Sequence, residues 1–273
     1  MKTLYLSDLD GTLLRSDERV SAYSAGILNR FIREGGCFSY ATARSIVSAS
    51  RVTAGLEVKL PVICTNGAFM HDGVSGGILL ANYFSAKETE YLSDILGRHK
   101  IYPVVSARVD GAERMSYTSR RLSDTSISYL GNRIGDPRRH EANDIAELYS
   151  GGVFRVMCMD EDAALSPVYG ILKTDVRFSC VYQKAAYGEG AWLDILPAGA
   201  TKAEAALRLK TKLGCDRLVV FGDERNDIPL FSAADESYAV SNAVPELKEI
   251  ATAVIGSNDE DSVARWIEEN AVI

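Results

Sequence analysis

Two carboxylates separated by one residue follow a short apolar run near the start of the chain. Asp8 and Asp10 lie in the motif DLDGT at positions 8–12. On a continued strand they would share a face, where each anion disfavours ionisation of the other. A cation or a shared proton would relieve that repulsion, and the pair would suit one carboxylate that attacks and one that transfers protons. A plain turn is the alternative, because Asp and Gly are common turn residues.

Further polar residues stand where strands are predicted to end or helices to begin. In open α/β sheets, ligands bind beyond the carboxyl ends of the strands, so we expect these residues to share one rim with the two carboxylates. Each has a simpler interpretation when taken singly, such as a helix cap at Thr42, a surface lysine at Lys202 or a turn at Asn66. Their joint order along the chain is what favours a site. They are Thr42 and Arg44, Asn66 and Gly67, Lys202, and the run Gly222-Asp223-Glu224-Arg225-Asn226-Asp227.

These side chains suit phosphoryl transfer through a covalent intermediate. A carboxylate such as Asp8 can attack phosphorus, while positioning and charge neutralisation supply most of the remaining catalysis. Mg²⁺ takes oxygen ligands and usually one or two carboxylates, a requirement that Asp8 and Asp223 would meet. Lys202 would hold phosphate, and Asp10 would protonate the leaving oxygen and then deprotonate the attacking water. Hydroxyl and amide donors for phosphate oxygens are Thr42 and either Asn66 or Asn226.

The composition argues against several classes of protein. A net charge of −7 over 273 residues argues against general affinity for nucleic acid. No stretch approaches the roughly 18 apolar residues of a membrane span, and the early carboxylates interrupt the apolar core of a signal peptide. Five scattered cysteines without a CxxC pair are typical of reduced thiols. We expect a cytoplasmic protein that binds a small phosphorylated metabolite, with no nucleic-acid or membrane partner; its oligomeric state is not indicated.

Strand and helix patterns alternate in the first and last thirds of the chain. This alternation is typical of right-handed βαβ units, so we predict an α/β core with a parallel sheet, formed by residues 1–81 and 190–273. The predicted strands are 4–7, 37–41, 60–64, 217–221, 237–240 and 253–255, and the predicted helices are 21–34, 44–56, 202–213, 228–234, 245–251 and 262–270.

The middle of the chain has a different pattern, which predicts an inserted α+β unit over residues 82–189. Its length of about a hundred residues is a plausible domain size. A charged run at 136–141 is expected to be a solvated face or loop. The predicted helices are 86–99 and 144–149, and the predicted strands are 103–107, 115–118, 153–159 and 176–180.

The order of the motifs resembles that of the haloacid dehalogenase superfamily, in particular its Cof-like sugar-phosphatase branch with type IIB caps. The first and last motifs together are highly specific. The resemblance implies a Rossmann-like core, an inserted α/β cap that determines substrate specificity, and Mg²⁺-dependent hydrolysis of phosphomonoesters. The matching segments are DLDGTLL at 8–14, ATAR at 41–44, TNGA at 65–68, TK at 201–202 and GDERND at 222–227.

The resemblance also implies a role for each matching side chain. Asp8 would be the nucleophile and Asp10 the acid and base. Mg²⁺ would be held by Asp8, the backbone carbonyl of Asp10 and Asp223, with Asp227 supporting these ligands. Phosphate would be bound by Thr42, Lys202 and Asn226, and substrate contacts are expected at Arg44, Asn66 and Gly67.

The chain departs from the family pattern without losing a catalytic group. Ala43 and Ala203 stand where glycine is usual, and Glu224 stands where a small residue is common before the acidic one. Arg225 would add a cation near the metal loop. These departures bear on the substrate more than on the reaction, and the sequence does not indicate whether they change specificity.

Three functions fit these motifs. A phosphatase of small phosphorylated metabolites, most readily sugar phosphates, uses the whole set of side chains. A sugar phosphomutase would use the same aspartyl-phosphate, and a phospho-accepting signalling or binding protein would form it without turnover. In the inserted unit, candidates for selecting the leaving group are Arg108, Tyr117, Arg121 and Tyr182, although surface placement is the commoner role of such residues.

Overall fold

The computed structural model describes residues 1–184 and 190–272, except for the side chains of Arg120 and Lys184. It divides into one unit of residues 1–81 together with the chain from Gly199 onward, and a second unit, Asn82–Ala198. The sequence instead indicated the second boundary at residues 189 and 190, next to the segment 185–189 outside the described residues. Strand pairing explains the difference, because Ala191–Pro197 lies between two antiparallel strands of the second unit.

The first unit contains a parallel sheet, which confirms the predicted α/β class. Its strands are β1 (Thr3–Ser7), β2 (Cys37–Tyr40), β12 (Arg217–Gly222), β13 (Glu236–Ala239) and β14 (Ala253–Val254), in the order β14-β13-β12-β1-β2. All five residues of β1 are buried, as is typical of a strand covered on both faces. Because β1 lies between β2 and β12, its carboxyl end is flanked by the carboxyl ends of two parallel strands.

The third predicted strand belongs mainly to a separate antiparallel sheet. β3 (Val62–Cys64) pairs with β4 (Phe69–His71), which pairs with β5 (Ile78–Ala81). A single parallel bridge between Ala41 and Ile63 connects this sheet to β2. The bridge keeps the turn after β3 next to the end of β2, although β4 and β5 were not predicted.

Three helices of the first unit begin at side-chain caps, which are Ser21, Ser45 and Thr201. The predicted helix at 44–56 is shorter in the structure, because the Ser45 side chain accepts from the Ser48 amide and the helix ends at Val52, three residues before Gly55 with its positive φ of 101°. The helices are α1 (Ala22–Arg33), α2 (Ile46–Val52), α7 (Lys202–Leu213), α8 (Ile228–Ala233), α9 (Pro245–Ile250) and α10 (Ser262–Asn270).

The second unit is built on a six-stranded sheet. Its strands are β6 (Val104–Val109), β7 (Ala112–Tyr117), β8 (Arg139–Glu141), β9 (Gly152–Asp160), β10 (Phe178–Lys184) and β11 (Ala191–Pro197), and its helices are α3 (Ala86–Arg98), α4 (Asp124–Gly131), α5 (Ile145–Leu148) and α6 (Asp162–Leu172). The strands are arranged in the order β10-β11-β9-β6-β7-β8. All pairings are antiparallel except that of β7 with β8. Among the described residues, no helix is long and apolar enough to cross a membrane.

The charged run at 136–141, predicted as a solvated face or loop, is half-buried or exposed and includes an edge strand. Arg139–Glu141 forms β8 at the edge of the sheet. Arg138 pairs with Asp136 at 2.7 Å and with Glu113 at 3.3 Å. Charged side chains are well tolerated on such an edge strand.

Candidate active site

Parallel strand pairing brings two of the predicted carboxylates together. Ser7 at the end of β1 is the register partner of Phe221 in β12, and the Asp8 amide donates to the Phe221 carbonyl at 2.9 Å. Asp8 and Asp223 therefore leave neighbouring strands at the same edge of the sheet.

Three carboxylates form a compact cluster at this edge. One oxygen from each of Asp8, Asp223 and Asp227 lies within 4.8 Å of the others. Asp8 is 5% exposed and Asp227 is fully buried, while Asp223 is half-buried. The backbone amide of Asp223 donates to Asp227 at 3.1 Å, which fixes Asp227 beneath the loop. Buried carboxylates at such spacing need a cation nearby.

Lys202 supplies one such cation and is not a surface lysine. It is the first residue of α7, whose cap Thr201 accepts from the Glu204 amide, and it is only 2% exposed. Its Nζ lies 2.8 Å from Asp8 Oδ1 and 2.7 Å from Asp227 Oδ1. The ammonium thus bridges two of the three carboxylates.

One ammonium does not balance three carboxylates, and the pKa values reflect this. Burial raises the pKa of Asp8 well above its usual range, with further contributions from Asp227 and Asp223, although Lys202 opposes them. Burial raises the pKa of Asp223 to about 7 despite its hydrogen bond from Thr12. The excess negative charge and oxygen-rich donor set fit a divalent cation such as Mg²⁺, held by Asp8 and Asp223 with Asp227 beside them.

Thr12 and Gly11 have roles at the site that the sequence analysis did not assign, although both belong to the quoted motif. The buried Thr12 hydroxyl donates to Asp223 Oδ1 at 2.7 Å. Gly11 has a φ of 69°, and a Cβ there would lie 2.2 Å from Asp223 Oδ2. The glycine therefore allows the loop to approach Asp223 closely, and the threonine orients that carboxylate.

Asp10 lies outside the carboxylate cluster and is held by Arg44. The Arg44 Nε is 2.8 Å from Asp10 Oδ2 and 3.0 Å from Oδ1, and the Asp10 side chain is 48% exposed. Arg44 also contacts Glu18 at 2.9 Å, and hydrogen bonding to Asp10 raises the pKa of the guanidinium further above its usual range. The predicted proton-transfer group is therefore ion-paired at the surface.

The loops after β2 and β3 are joined by their backbones. The Asn66 amide donates to the Thr42 carbonyl at 3.0 Å, and the Thr42 hydroxyl accepts from the Arg44 amide at 3.1 Å. Thr42 is not the cap of α2, a role taken by Ser45. Asn226 Nδ2 donates to Asn66 Oδ1 at 3.2 Å, while the buried Oδ1 of Asn226 has no hydrogen-bond partner among the described residues.

Gly67 brings the turn after β3 against the start of α7. Its φ is 97°, and a Cβ at this position would lie 2.2 Å from the Thr201 carbonyl oxygen. Thr201 directly precedes Lys202, so the turn at Gly67 packs against the residue next to the buried ammonium.

Among the remaining candidates, only Glu224 contacts the carboxylate cluster within the described residues, because its amide donates to Asp227 at 3.3 Å. Arg225 pairs with Glu246 at 2.6 Å on the surface. In the second unit, Arg108 contacts the Gly111 carbonyl, Tyr117 accepts from Arg139, Arg121 donates to Tyr102, and Tyr182 donates to Asp162.

Comparison with known proteins identifies matches over nearly the whole chain. The family model of haloacid dehalogenase-like hydrolases matches residues 5–267. A 5-amino-6-(5-phospho-D-ribitylamino)uracil phosphatase of Bacillus subtilis is 23% identical over 96% of this chain and 95% of its own. The pyridoxal phosphate phosphatase of Escherichia coli is 25% identical over 95% of each chain. The solved structure of a sugar phosphatase of haloacid dehalogenase subclass IIB covers 100% of both chains, with a TM-score of 0.75 at 17% identity.

The close approach at Gly67 generates a prediction for Gly67→Ala. The new methyl group would collide with backbone at Thr201, and the positive φ would add strain, so α7 and Lys202 would shift. We expect a loss of about 2 kcal/mol of stability or more, measured by denaturant titration. Gly26→Ala in α1 is the matched control, because a Cβ there meets nothing within 4 Å. Equal midpoints for the two variants would contradict this account.

The raised pKa of Asp223 predicts how stability depends on pH in metal-free protein. The folded pKa of about 7 lies above the unfolded value of 3.8. The native state therefore loses stability as the pH rises from the unfolded pKa to the folded one. Asp223→Asn removes that loss, so it should stabilise the protein by about 1–2 kcal/mol more at pH 8 than at pH 5. Thermal unfolding in chelator tests this, with the exposed Asp17→Asn as the charge-matched control. A difference that shrinks with rising pH would refute it.

Proposed function

We propose that this chain, which belongs to the haloacid dehalogenase-like hydrolase family, is a Mg²⁺-dependent phosphatase of small phosphorylated metabolites, with sugar phosphates as the favoured class. The observation that carries the proposal is the buried Lys202 ammonium bridging Asp8 and Asp227 beside Asp223. This arrangement joins a carboxylate nucleophile to a cation for phosphate.

In the first step, an Asp8 oxygen attacks phosphorus and the bond to the leaving oxygen breaks, giving an aspartyl-phosphate. Asp10 gives its proton to the leaving oxygen. Lys202 and the Thr42 hydroxyl bind phosphate oxygens, with Asn226 as a further donor.

In the second step, water attacks phosphorus and the bond to Asp8 breaks, which releases inorganic phosphate. Asp10 accepts the proton from this water, so the same carboxylate serves both steps. Arg44 must release or share Asp10 for this transfer, and its second partner Glu18 gives the guanidinium an alternative contact.

Mg²⁺ would be held by Asp8, Asp223 and the Asp10 backbone carbonyl, with Asp227 in support. When bound, it neutralises negative charge that develops on the transferring phosphoryl group. Arg44, Asn66 and Gly67 line the loops beside these residues, and we assign to them contacts with the substrate.

The second unit is proposed to select the leaving group. A cavity of about 570 Å³ lies within it, and a hydroxyl-rich leaving group would suit its polar lining. Sugar phosphates fit that chemistry, and the subclass IIB sugar phosphatase supports the same choice. The lining includes Thr118, Ser119, Arg121, Glu141, Asn143 and Asp144.

Loss of the nucleophile generates the main prediction. Asp8→Asn should lower the rate of phosphate release by at least about 10³-fold, because an amide is a poor nucleophile. Release is measured from a panel of phosphorylated sugars and other metabolites, with Mg²⁺ and with chelator. Asp72→Asn is the control, since Asp72 lies in the β4–β5 hairpin and binds Ser75.

The products separate the three functions. Free phosphate that depends on Mg²⁺ and on Asp8 supports the phosphatase. Isomerised sugar phosphate as the main product would indicate a phosphomutase, and a long-lived phosphoprotein without turnover would indicate a phospho-accepting protein. Full activity in Asp8→Asn would falsify the mechanism.

A further inference from the structure

Two asparagines bind the backbone of the loop at residues 8–14, which carries Asp10 and Thr12. Asn258 Nδ2 donates to the Leu14 carbonyl at 2.9 Å, and Asn242 Nδ2 donates to the Gly11 carbonyl at 2.8 Å. The two asparagines are themselves joined, because the Asn258 amide donates to Asn242 Oδ1 at 3.1 Å. The Leu14 carbonyl is thus bound by the segment before α10, and the Gly11 carbonyl by the segment between β13 and α9.

The segment before α10 also binds the chain that follows the loop. The Asp261 carboxylate is 4% exposed and accepts hydrogen bonds from Arg15, from Ser21 at 2.6 Å and from Ser24 at 3.0 Å. Asp259 accepts from the amide and the hydroxyl of Ser16.

Asp261 makes these bonds from an unusual backbone conformation. Its φ is 57° and its ψ is 33°, a left-handed conformation that is strained for a residue other than glycine. Its side chain makes no capping bond to α10, although it occupies the capping position. The strain at Asp261 is therefore offset by its hydrogen bonds to the chain after the loop, and not by capping of α10.

We propose that Asn258, with Asn242, is a positioning residue that sets the placement of Asp10 and Thr12 against Asp8 and Asp223. This inference rests on the proposed phosphatase function and adds to it a determinant outside the motifs. Asn258 acts on the reaction through the loop and touches none of the reacting groups.

The loop has little freedom to move without disturbing the site. Gly11 already approaches Asp223 so closely that a Cβ would overlap the carboxylate, and Thr12 is bonded to the same side chain. A displacement at the Gly11 or Leu14 carbonyl is therefore transmitted to Asp223 and Asp10. Misplacement of reacting groups by about 1 Å can lower a rate by roughly 10²-fold.

Buried asparagines can also act only on stability, and Asn29 offers a matched comparison. Its Nδ2 donates to the Gly55 carbonyl at 2.8 Å, and its Oδ1 accepts from the Glu57 amide at 2.8 Å. It is 8% exposed and Asn258 is 7% exposed. Asn29 and Asn258 therefore make similar buried bonds to backbone in one unit, and only those of Asn258 reach the loop.

The test compares Asn258→Asp with Asn29→Asp, using p-nitrophenyl phosphate and saturating Mg²⁺. Each change replaces an amide donor with a carboxylate oxygen facing a carbonyl, so both should lower the melting temperature. We expect kcat to fall about 10- to 100-fold in Asn258→Asp with KM within about threefold of the wild type. Asn29→Asp should keep kcat within about threefold.

Asn242→Asp is the second variant if Asn258→Asp does not fold. Asn242 is exposed, so replacing it costs little stability, and the change removes the donor to Gly11. A fall in kcat there, with KM retained, supports the inference. Equal kcat values in the loop variants and Asn29→Asp would overturn it while leaving the proposed function intact. Absence of phosphate release from the wild type on every substrate would overturn the proposed function and the inference together.

Discussion

The placement of one buried ammonium among three carboxylates is the constraint on which the rest of the site depends. Lys202 neutralises part of the charge of Asp8 and Asp227, and the remainder is left for a further cation. Burial makes this imbalance consequential, because an uncompensated charge costs far more away from water. The parallel sheet edge, the start of α7 and the turn at Gly67 all serve to keep these charges within bonding distance.

Elements with strong local signals could be predicted from the sequence. The bounds of α7 and α10 are as predicted, because a cap or a break stands at the ends of each apolar pattern. β1 and β12 were predicted to within one residue, since buried parallel strands read as continuous apolar runs. The polar residues after these strands follow from the rule that parallel strands share a carboxyl edge.

Features that depend on distant pairing could not be predicted. β11 belongs to the second unit because its partners are β9 and β10, which its own residues do not reveal. The contact between Arg44 and Asp10 joins residues 34 positions apart, and the local pattern showed only a cation and a carboxylate. Asp261 follows Asp259 and Glu260 in the sequence, and only the fold shows that it binds Arg15, Ser21 and Ser24.

The long sequence separation between β1 and one of its partners has a consequence for biosynthesis. Its neighbour β12 is made more than two hundred residues later. Until then one edge of β1 lacks its partner, and a chain with such separated contacts folds slowly. The inserted unit is complete by Ala198 and can fold on its own contacts in the meantime. Asp8 therefore meets Asp223 and Lys202 only after the inserted unit has been synthesised.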